Sequence, residues 1–213
     1  EKAKTENTYD AYKRIPNKKY TVGGKVFTKG IEYAQTRIGT LVDSVGGTTL
    51  YEYDPMGRIC QEKDGDGNIL KSYTYDEFGQ LIRENNEALD KTYTYEYNSI
   101  GNITRVKEYA YHAPEEEELP RCQKTVFYGY DAVCPDKLTK FDGNVIEYNS
   151  IGCPSKYKDE NYEWANGKLS KIHRSTFIRD EEYYTTRTFT YDGYGRRTQK
   201  HSVTGVNYSG ADA

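Results

Sequence analysis

Apolar and polar residues alternate in Thr92-Tyr-Thr-Tyr-Glu-Tyr97, so Tyr93, Tyr95 and Tyr97 share one face of an extended strand while Thr92, Thr94 and Glu96 share the other. The strand ends in Asn98-Ser-Ile-Gly101, and the same sentence is written several times along the chain: Tyr51-Glu-Tyr-Asp-Pro-Met-Gly57, Tyr73-Thr-Tyr-Asp-Glu-Phe-Gly79, Tyr95-Glu-Tyr-Asn-Ser-Ile-Gly101 and Phe189-Thr-Tyr-Asp-Gly-Tyr-Gly195. Tyr53, Tyr75 and Tyr97 fall 22 residues apart, as do Gly57, Gly79 and Gly101. A fixed period of this kind decides the architecture before any chemistry is considered.

Each motif predicts a chain reversal. Asp54, Asp76, Asn98, Asn149 and Asp192 stand where a short polar side chain accepts local backbone N–H groups, and Pro55 suits the next position of a type I turn. Glycine at the fourth position permits the left-handed residue of a G1 bulge. A polar and then an apolar residue follow, as in Gly57-Arg-Ile59, Gly79-Gln-Leu81 and Gly101-Asn-Ile103, and start the return strand. Secondary turns such as Asp64-Gly-Asp-Gly-Asn68 and Asp142-Gly-Asn144 then close each 22-residue unit into one hairpin and its connection. Equivalent tyrosines should lie two strand spacings, about 9.5 Å, apart, with an aliphatic residue between them in a continuous stripe.

Other copies are less regular. Tyr9-Asp-Ala-Tyr-Lys13 keeps the Tyr-Asp step with Lys13 in place of glycine; Ile146-Glu-Tyr-Asn-Ser-Ile-Gly152 is a clear copy built on Tyr148, Asn149 and Gly152. Tyr162-Glu-Trp-Ala-Asn-Gly167 is shortened, with Trp164 and Gly167 at the key positions, and Tyr128-Gly-Tyr-Asp131 lacks the glycine. Seven or eight units result, divided into degenerate repeats over 1–50, regular ones over 51–110, irregular ones over 111–200 and a tail over 201–213. No window shows a helical period, which predicts an all-β chain of tandem hairpins forming an antiparallel strip. The departures at Lys13, 131–137 and Trp164 are expected to mark places where the strip bends, ends or meets something else.

Composition supports a thin sheet. Leu, Ile, Val and Phe number 36 of 213 residues, while tyrosines number 23 and the formal net charge is only −3. Few aliphatics in a weakly charged chain leave little for a deep core, and tyrosine supplies rings that pack flat with a hydroxyl that reaches water. No stretch approaches the roughly 20 apolar residues of a membrane span, and no signal peptide is visible. The chain starts without Met and in mid-pattern, which reads as a piece of a longer polypeptide. Its slightly acidic balance gives no electrostatic reason to expect nucleic acid, and the run 115–118 reads as a solvated loop.

Candidate chemistry is sparse. Cys60, Cys122, Cys134 and Cys153 have no metal-ligand spacing, although Cys122 and Cys134 bracket a predicted hairpin and pairing between them is left open. His112, His173 and His201 belong to no triad or zinc pattern. In the 64–68 segment the calcium-loop pattern fails at Ile69 and Tyr75, so a turn is expected. No catalytic, cofactor or metal site emerges. Exposed tyrosines and Trp164 offer a surface on which sugar rings could stack, the basis of a second reading as a carbohydrate- or protein-binding module.

The tandem Tyr-Asp steps with Gly-Arg-Ile and Gly-Asn-Ile closures resemble the RHS/YD-repeat proteins, and the stretch from Asp136 through Asn149-Ser-Ile-Gly-Cys-Pro154 to Leu169 is especially similar to the distal repeats of bacterial clostridial-type members. The resemblance covers nearly the whole chain. It implies a curved β-strip, part of a spiral shell or barrel, which in RHS and ABC-type toxins encloses a C-terminal toxin domain and in teneurins serves adhesion. A non-catalytic segment of a secreted or surface protein is therefore expected. Its partners would be further repeats or an effector domain of the same polypeptide, with a cell-surface glycan or protein as the alternative. The family's self-cleavage site contains an Asp-Pro-Xaa-Gly core after another proline, but Thr49 stands five residues before Asp54. That leaves Asp54-Pro-Met-Gly57 as a turn like the others.

Overall fold

A computed structural model describes residues 3–115, 118–179 and 181–208. Among them the chain is almost wholly β, the one helical element being a single 3₁₀ turn, Glu87–Leu89. It divides between Thr125 and Val126 into two compact units.

The first unit contains β1 (Lys4–Thr8), β2 (Asn17–Val22), β3 (Lys25–Ala34), β4 (Arg37–Asp43), β5 (Gly47–Tyr53), β6 (Ile59–Lys63), β7 (Ile69–Tyr75), β8 (Leu81–Asn86), β9 (Lys91–Tyr97) and β10 (Ile103–Ala110). Each pairs antiparallel with the next in sequence, from β1–β2 to β9–β10. In the second unit the same rule joins β11 (Lys124–Tyr130), β12 (Leu138–Phe141), β13 (Asn144–Tyr148), β14 (Pro154–Tyr157), β15 (Glu160–Ala165), β16 (Lys168–Ile178), β17 (Glu181–Tyr191) and β18 (Arg197–Tyr208). The motif tyrosines mark the end of a strand, and the register slips by one residue just before them, between Glu52 and Tyr53 and between Thr74 and Tyr75. These are the bulges that the glycine-closed turns impose.

Gly57, Gly79 and Gly101 adopt φ of 83°, 81° and 89°, the left-handed conformation that their position demands. Lys13 takes φ 61° at the equivalent place, and the same two backbone bonds close its turn: Asp10 N–H donates to Arg14 and Lys13 N–H to Asp10. Lys13 therefore preserves the reversal. The other two departures also join paired strands: 131–137 is a turn lengthened by two residues, and Asn166 and Gly167 make a two-residue hairpin with φ of 52° and 71°. The strip does not end at any of the three sites, since paired strands flank each of them. A ninth hairpin, between β3 and β4, escapes the sequence motif because Tyr33 is followed by Ala34 and Gln35, the latter at φ 57°.

The interior is thin and unexpectedly polar. Tyr109 is the one buried residue with a large apolar body among the described residues, whereas Ser72, Asn85, Asn86 and Thr92 are all buried. Ser72, Asn85 and Thr92 lie on the face opposite Tyr93 and Tyr95, where residues 111–113 fold back over β8 and β9, whereas Asn86 pairs with Lys91 on the tyrosine face and donates to Glu84. Asn85 donates to Ser72 at 2.7 Å, Thr92 donates to Asn85 at 3.1 Å, and Thr92 Oγ1 accepts from the His112 N–H at 3.0 Å. Arg83 reaches both Asn85 and the Ala113 carbonyl. Burial is tolerated because the partners are present.

The expected aromatic and aliphatic stripe holds for one row of cross-strand pairs, Tyr53 with Ile59, Tyr75 with Leu81 and Tyr97 with Ile103. The neighbouring row differs. Tyr51 faces Glu62 and Tyr73 faces Glu84, so carboxylates alternate with the rings there. All four cysteines are free thiols, and Cys122 and Cys134 flank the single strand β11 where a hairpin was expected. Residues 201–208 continue β18, while 209–213 of the expected tail and 116–117 of the acidic run lie outside the described residues.

Candidate functional site

The repeating unit is itself the site on which everything else depends. In each turn one oxygen of the leading Asp or Asn accepts two backbone N–H groups. Asp76 takes them from Phe78 at 3.0 Å and Gln80 at 2.8 Å; Asn98 takes them from Ile100 and Asn102, and Asn149 from Ile151 and Cys153. Where arginine follows the turn, the second carboxylate oxygen accepts its Nε, as in Asp10 with Arg14, Asp54 with Arg58 and Asp192 with Arg196. Partial burial works against ionisation of Asp54, yet the bonds from the Arg58 backbone and side chain hold its pKa below the ordinary value. The Arg196 N–H does the same for Asp192, and the Asn68 side chain for Asp64. Both oxygens of Asp64 are satisfied within its own turn, by Asp66 and Asn68, as a structural turn requires.

Tyrosine links one unit to the next. The hydroxyl of Tyr75 donates to the Ile59 carbonyl at 2.8 Å, and Tyr97 donates to Leu81 at 2.7 Å, in each case 16 residues back. Tyr53 reaches Ile38 at 2.7 Å, and in the second unit Tyr148 reaches Leu138 and Tyr191 reaches Leu169 at 2.8 Å. Trp164 uses its indole Nε1 for the same purpose, donating to Pro154 at 2.6 Å. Every acceptor is the first or second residue of the return strand in the preceding hairpin or its near equivalent. In several units a cation from the preceding hairpin covers the ring: Arg14 lies 4.1 Å from the Tyr33 centroid, Arg58 4.4 Å from Tyr75, and Lys137 4.5 Å from Tyr148.

The sequence missed this clasp. Its acceptor is a backbone carbonyl that any residue supplies, and the recurrent Arg or Lys behind the turn was the available clue. Desolvation raises the pKa of Tyr75 and of Tyr97. Tyr73 and Tyr95 are raised chiefly by burial and further by Glu62 and Glu84, which accept their hydroxyls at 2.7 and 3.1 Å. Tyr162 is pushed up to about 12 by burial and its bond to Glu160.

The second unit also carries an apolar groove of about 480 Å³ on its tyrosine face, lined among others by Phe141, Tyr148, Tyr157 and Trp164. The polar atoms of these walls point elsewhere: Tyr148, Tyr157 and Trp164 donate to backbone carbonyls of their own sheet. No cluster of three or more metal-ligating side chains occurs among the described residues. His173 contacts Thr186 through Nδ1 and stacks near Tyr184.

What these parts define is a repeat strip whose hairpins are clipped in sequence order by tyrosine. The crystal structure of TcdB2-TccC3 has this fold: it aligns over 94% of this chain and 11% of its own length, with a TM-score of 0.50 and 14% identity. TcdB2-TccC3 without its hypervariable C-terminal region aligns over 95% of this chain and 14% of its own, with a TM-score of 0.45 and 13% identity. The chain thus spans about a tenth of the first of these proteins. No protein-family model and no curated protein matches it. The fold is the one that the resemblance to RHS/YD-repeat proteins implies.

Proposed function

We propose that this chain is a non-catalytic wall segment of a YD-repeat shell in a large secreted or surface protein, enclosing or presenting an effector domain. The tyrosine clasp carries the reading. Donors that a binding surface would offer to a ligand are turned onto the sheet's own backbone, from Tyr53 to Tyr97 in one unit and from Tyr148 to Tyr191 in the other. A wall with both faces against solvent needs cohesion along its length more than depth, and repeats of this kind gain it from nearest-neighbour interfaces. The partners on this reading are further repeats and an effector of the same polypeptide.

The test is limited proteolysis of the full-length polypeptide that carries these repeats, comparing the effector domain within it and expressed alone. Enclosure predicts strong protection in the intact protein, reversed when the wall is opened by Gly79→Val. Equal cleavage rates in both settings would sink the proposal. The alternative, an adhesin-like module that binds carbohydrate through aromatics, has weaker support, because the Trp164 indole and the Tyr148 and Tyr157 hydroxyls are engaged internally. Sugar recognition uses such groups together with a ring face. Glycan-array binding abolished by Trp164→Ala would favour it.

A further inference from the structure

The two units carry the same repeat but fill one row of it differently. In the first, Tyr51 pairs with Glu62 and Tyr73 with Glu84, so a carboxylate faces each ring. In the second, Tyr128 pairs with Phe141 and Ile146 with Tyr157. Apolar side chains stand where the carboxylates were, and the rings now meet: Tyr128 and Phe141 pack edge to face at 5.1 Å between centroids, and Phe141 lies 6.1 Å from Tyr157. The clasp does not call for this exchange, since it runs through Tyr148 and Trp164 in the neighbouring row. Glu160, the carboxylate that pairs with Tyr157, is taken up by the Tyr162 hydroxyl at 3.0 Å and by Arg187 at 3.5 Å.

Here the groove of about 480 Å³ opens, a volume within the roughly 300–1,000 Å³ of small-molecule sites. With the Tyr148, Tyr157 and Trp164 donors bound to the sheet's own carbonyls, its walls present ring faces and aliphatic chains. A polyol would leave its hydroxyls unpaired there, at a cost for each, whereas an apolar chain gains from the burial. Cations stand at the margins. Lys137 lies 4.5 Å from the Tyr148 centroid and Lys158 5.3 Å from that of Tyr157, both rings of the wall. Neither lysine forms an ion pair among the described residues; of the carboxylates near them, Asp131 is held by the Val133 and Cys134 N–H groups and Asp159 by Arg174.

We propose that this groove binds a linear amphiphile with an anionic head, a free fatty-acid carboxylate, whose chain lies along Tyr128, Phe141 and Tyr157 and whose head meets Lys137 or Lys158. From β11 to β14 the row of rings crosses three strand spacings, roughly 14 Å, the length of an extended chain of about twelve carbons. Ring faces take the methylene groups, and the ammonium groups at the margins supply the complementary charge. The proposal is independent of the shell reading: it concerns a ligand of this chain alone, whereas enclosure concerns how the chain serves a longer polypeptide.

Trp164, the chain's one tryptophan, lines the groove and reports on it. Titration with dodecanoate, followed by Trp164 emission and by calorimetry, should show one site with a Kd of about 10–100 µM. Dodecyltrimethylammonium, with the same chain and the opposite charge, should bind at least about tenfold more weakly, and Lys137→Gln combined with Lys158→Gln should remove most of that difference. Phe141→Glu restores the ring–carboxylate pair with which the first unit already folds, so circular dichroism should be unchanged while dodecanoate affinity falls at least about tenfold. The lysine variants decide the matter if that variant does not fold. No binding below about 1 mM, equal affinity for the two head groups, or indifference of a folded Phe141→Glu chain overturns the proposal. So does a signal from phosphatidylglycerol vesicles without one from dodecanoate, which would mark a membrane contact, or self-association that blocks the titration, which would mark a second copy as the occupant.

Discussion

Replacing Tyr75 by phenylalanine removes one oxygen and leaves the rest of the clasp in place. The lost group donates to the Ile59 carbonyl at 2.8 Å, a normal hydrogen-bond length, while the ring keeps its place opposite Leu81 and beneath Arg58 at 4.4 Å. A neutral hydrogen bond of this kind has a net worth of about 0.5–1.5 kcal/mol. Tyr75 is half-buried, so water partly replaces the bond and a loss of about 1 kcal/mol is expected. Tyr75→Leu should cost more, about 2 kcal/mol, because the cation–π contact and the aromatic–aliphatic pair go as well. Urea unfolding followed by far-ultraviolet circular dichroism measures both, with Tyr194→Phe as the control. Tyr194 is 88% exposed at a turn tip, and its hydroxyl should contribute within about 0.5 kcal/mol of nothing. If Tyr75→Phe and Tyr194→Phe unfold at the same urea concentration, the hydroxyl is not a clasp and the account of how the units cohere is wrong.

Gly79→Val places a β-branched residue at φ 81° and should destabilise the first unit by about 2 kcal/mol or more, read from its melting curve; a wild-type melt would contradict the turn geometry. Lys13→Gly relieves the same conformation and should stabilise by up to about 1 kcal/mol after the entropy of glycine is subtracted. A loss of stability would show that Lys13 is held by something besides its turn. Acid should destabilise the fold, because Asp10, Asp54, Asp64 and Asp192 have folded pKa values below their unfolded ones. Their stabilisation is complete above about pH 4 and disappears as pH falls through the lowered values. Asp54→Asn, which recreates the arrangement found at Asn98, should flatten part of that acid dependence in a pH series of urea melts. An unchanged acid limb would remove Asp54 from the explanation.

The turns were legible because their determinants lie within five residues: a side-chain acceptor, a permissive fourth position and an alternating strand on each side. Lys13 and Gln35 show the limit of that reading, since both enter the left-handed region without glycine and are held there by the pairing of the strands around them. The clasp was invisible for a different reason. Tyr97 identifies the donor, but its acceptor is the backbone of Leu81, which carries no side-chain signature. Asn85 and Thr92 look like surface residues in sequence, and only the return of residues 111–113 over β8 and β9 makes them the most buried polar groups among the described residues. Long-range closure of that sort leaves no local pattern.

Within each unit every strand pairs with the strands before and after it in the chain, so sequence separation between contacting residues stays short throughout. Loop closure is then inexpensive at every step, and low contact order favours rapid folding. A chain built this way can acquire structure in the direction of its synthesis, each hairpin finding its template already formed behind it. Its length becomes adjustable in whole periods: removal of residues 73–94 would join Ser72 to Tyr95, so that Tyr95-Glu-Tyr97 and its turn take the place of Tyr73-Thr-Tyr75 and its turn. Growth and loss by duplication cost such a molecule little at its strand pairings, and the exception is the closure by residues 111–113, whose partners Arg83 and Thr92 would leave with that deletion.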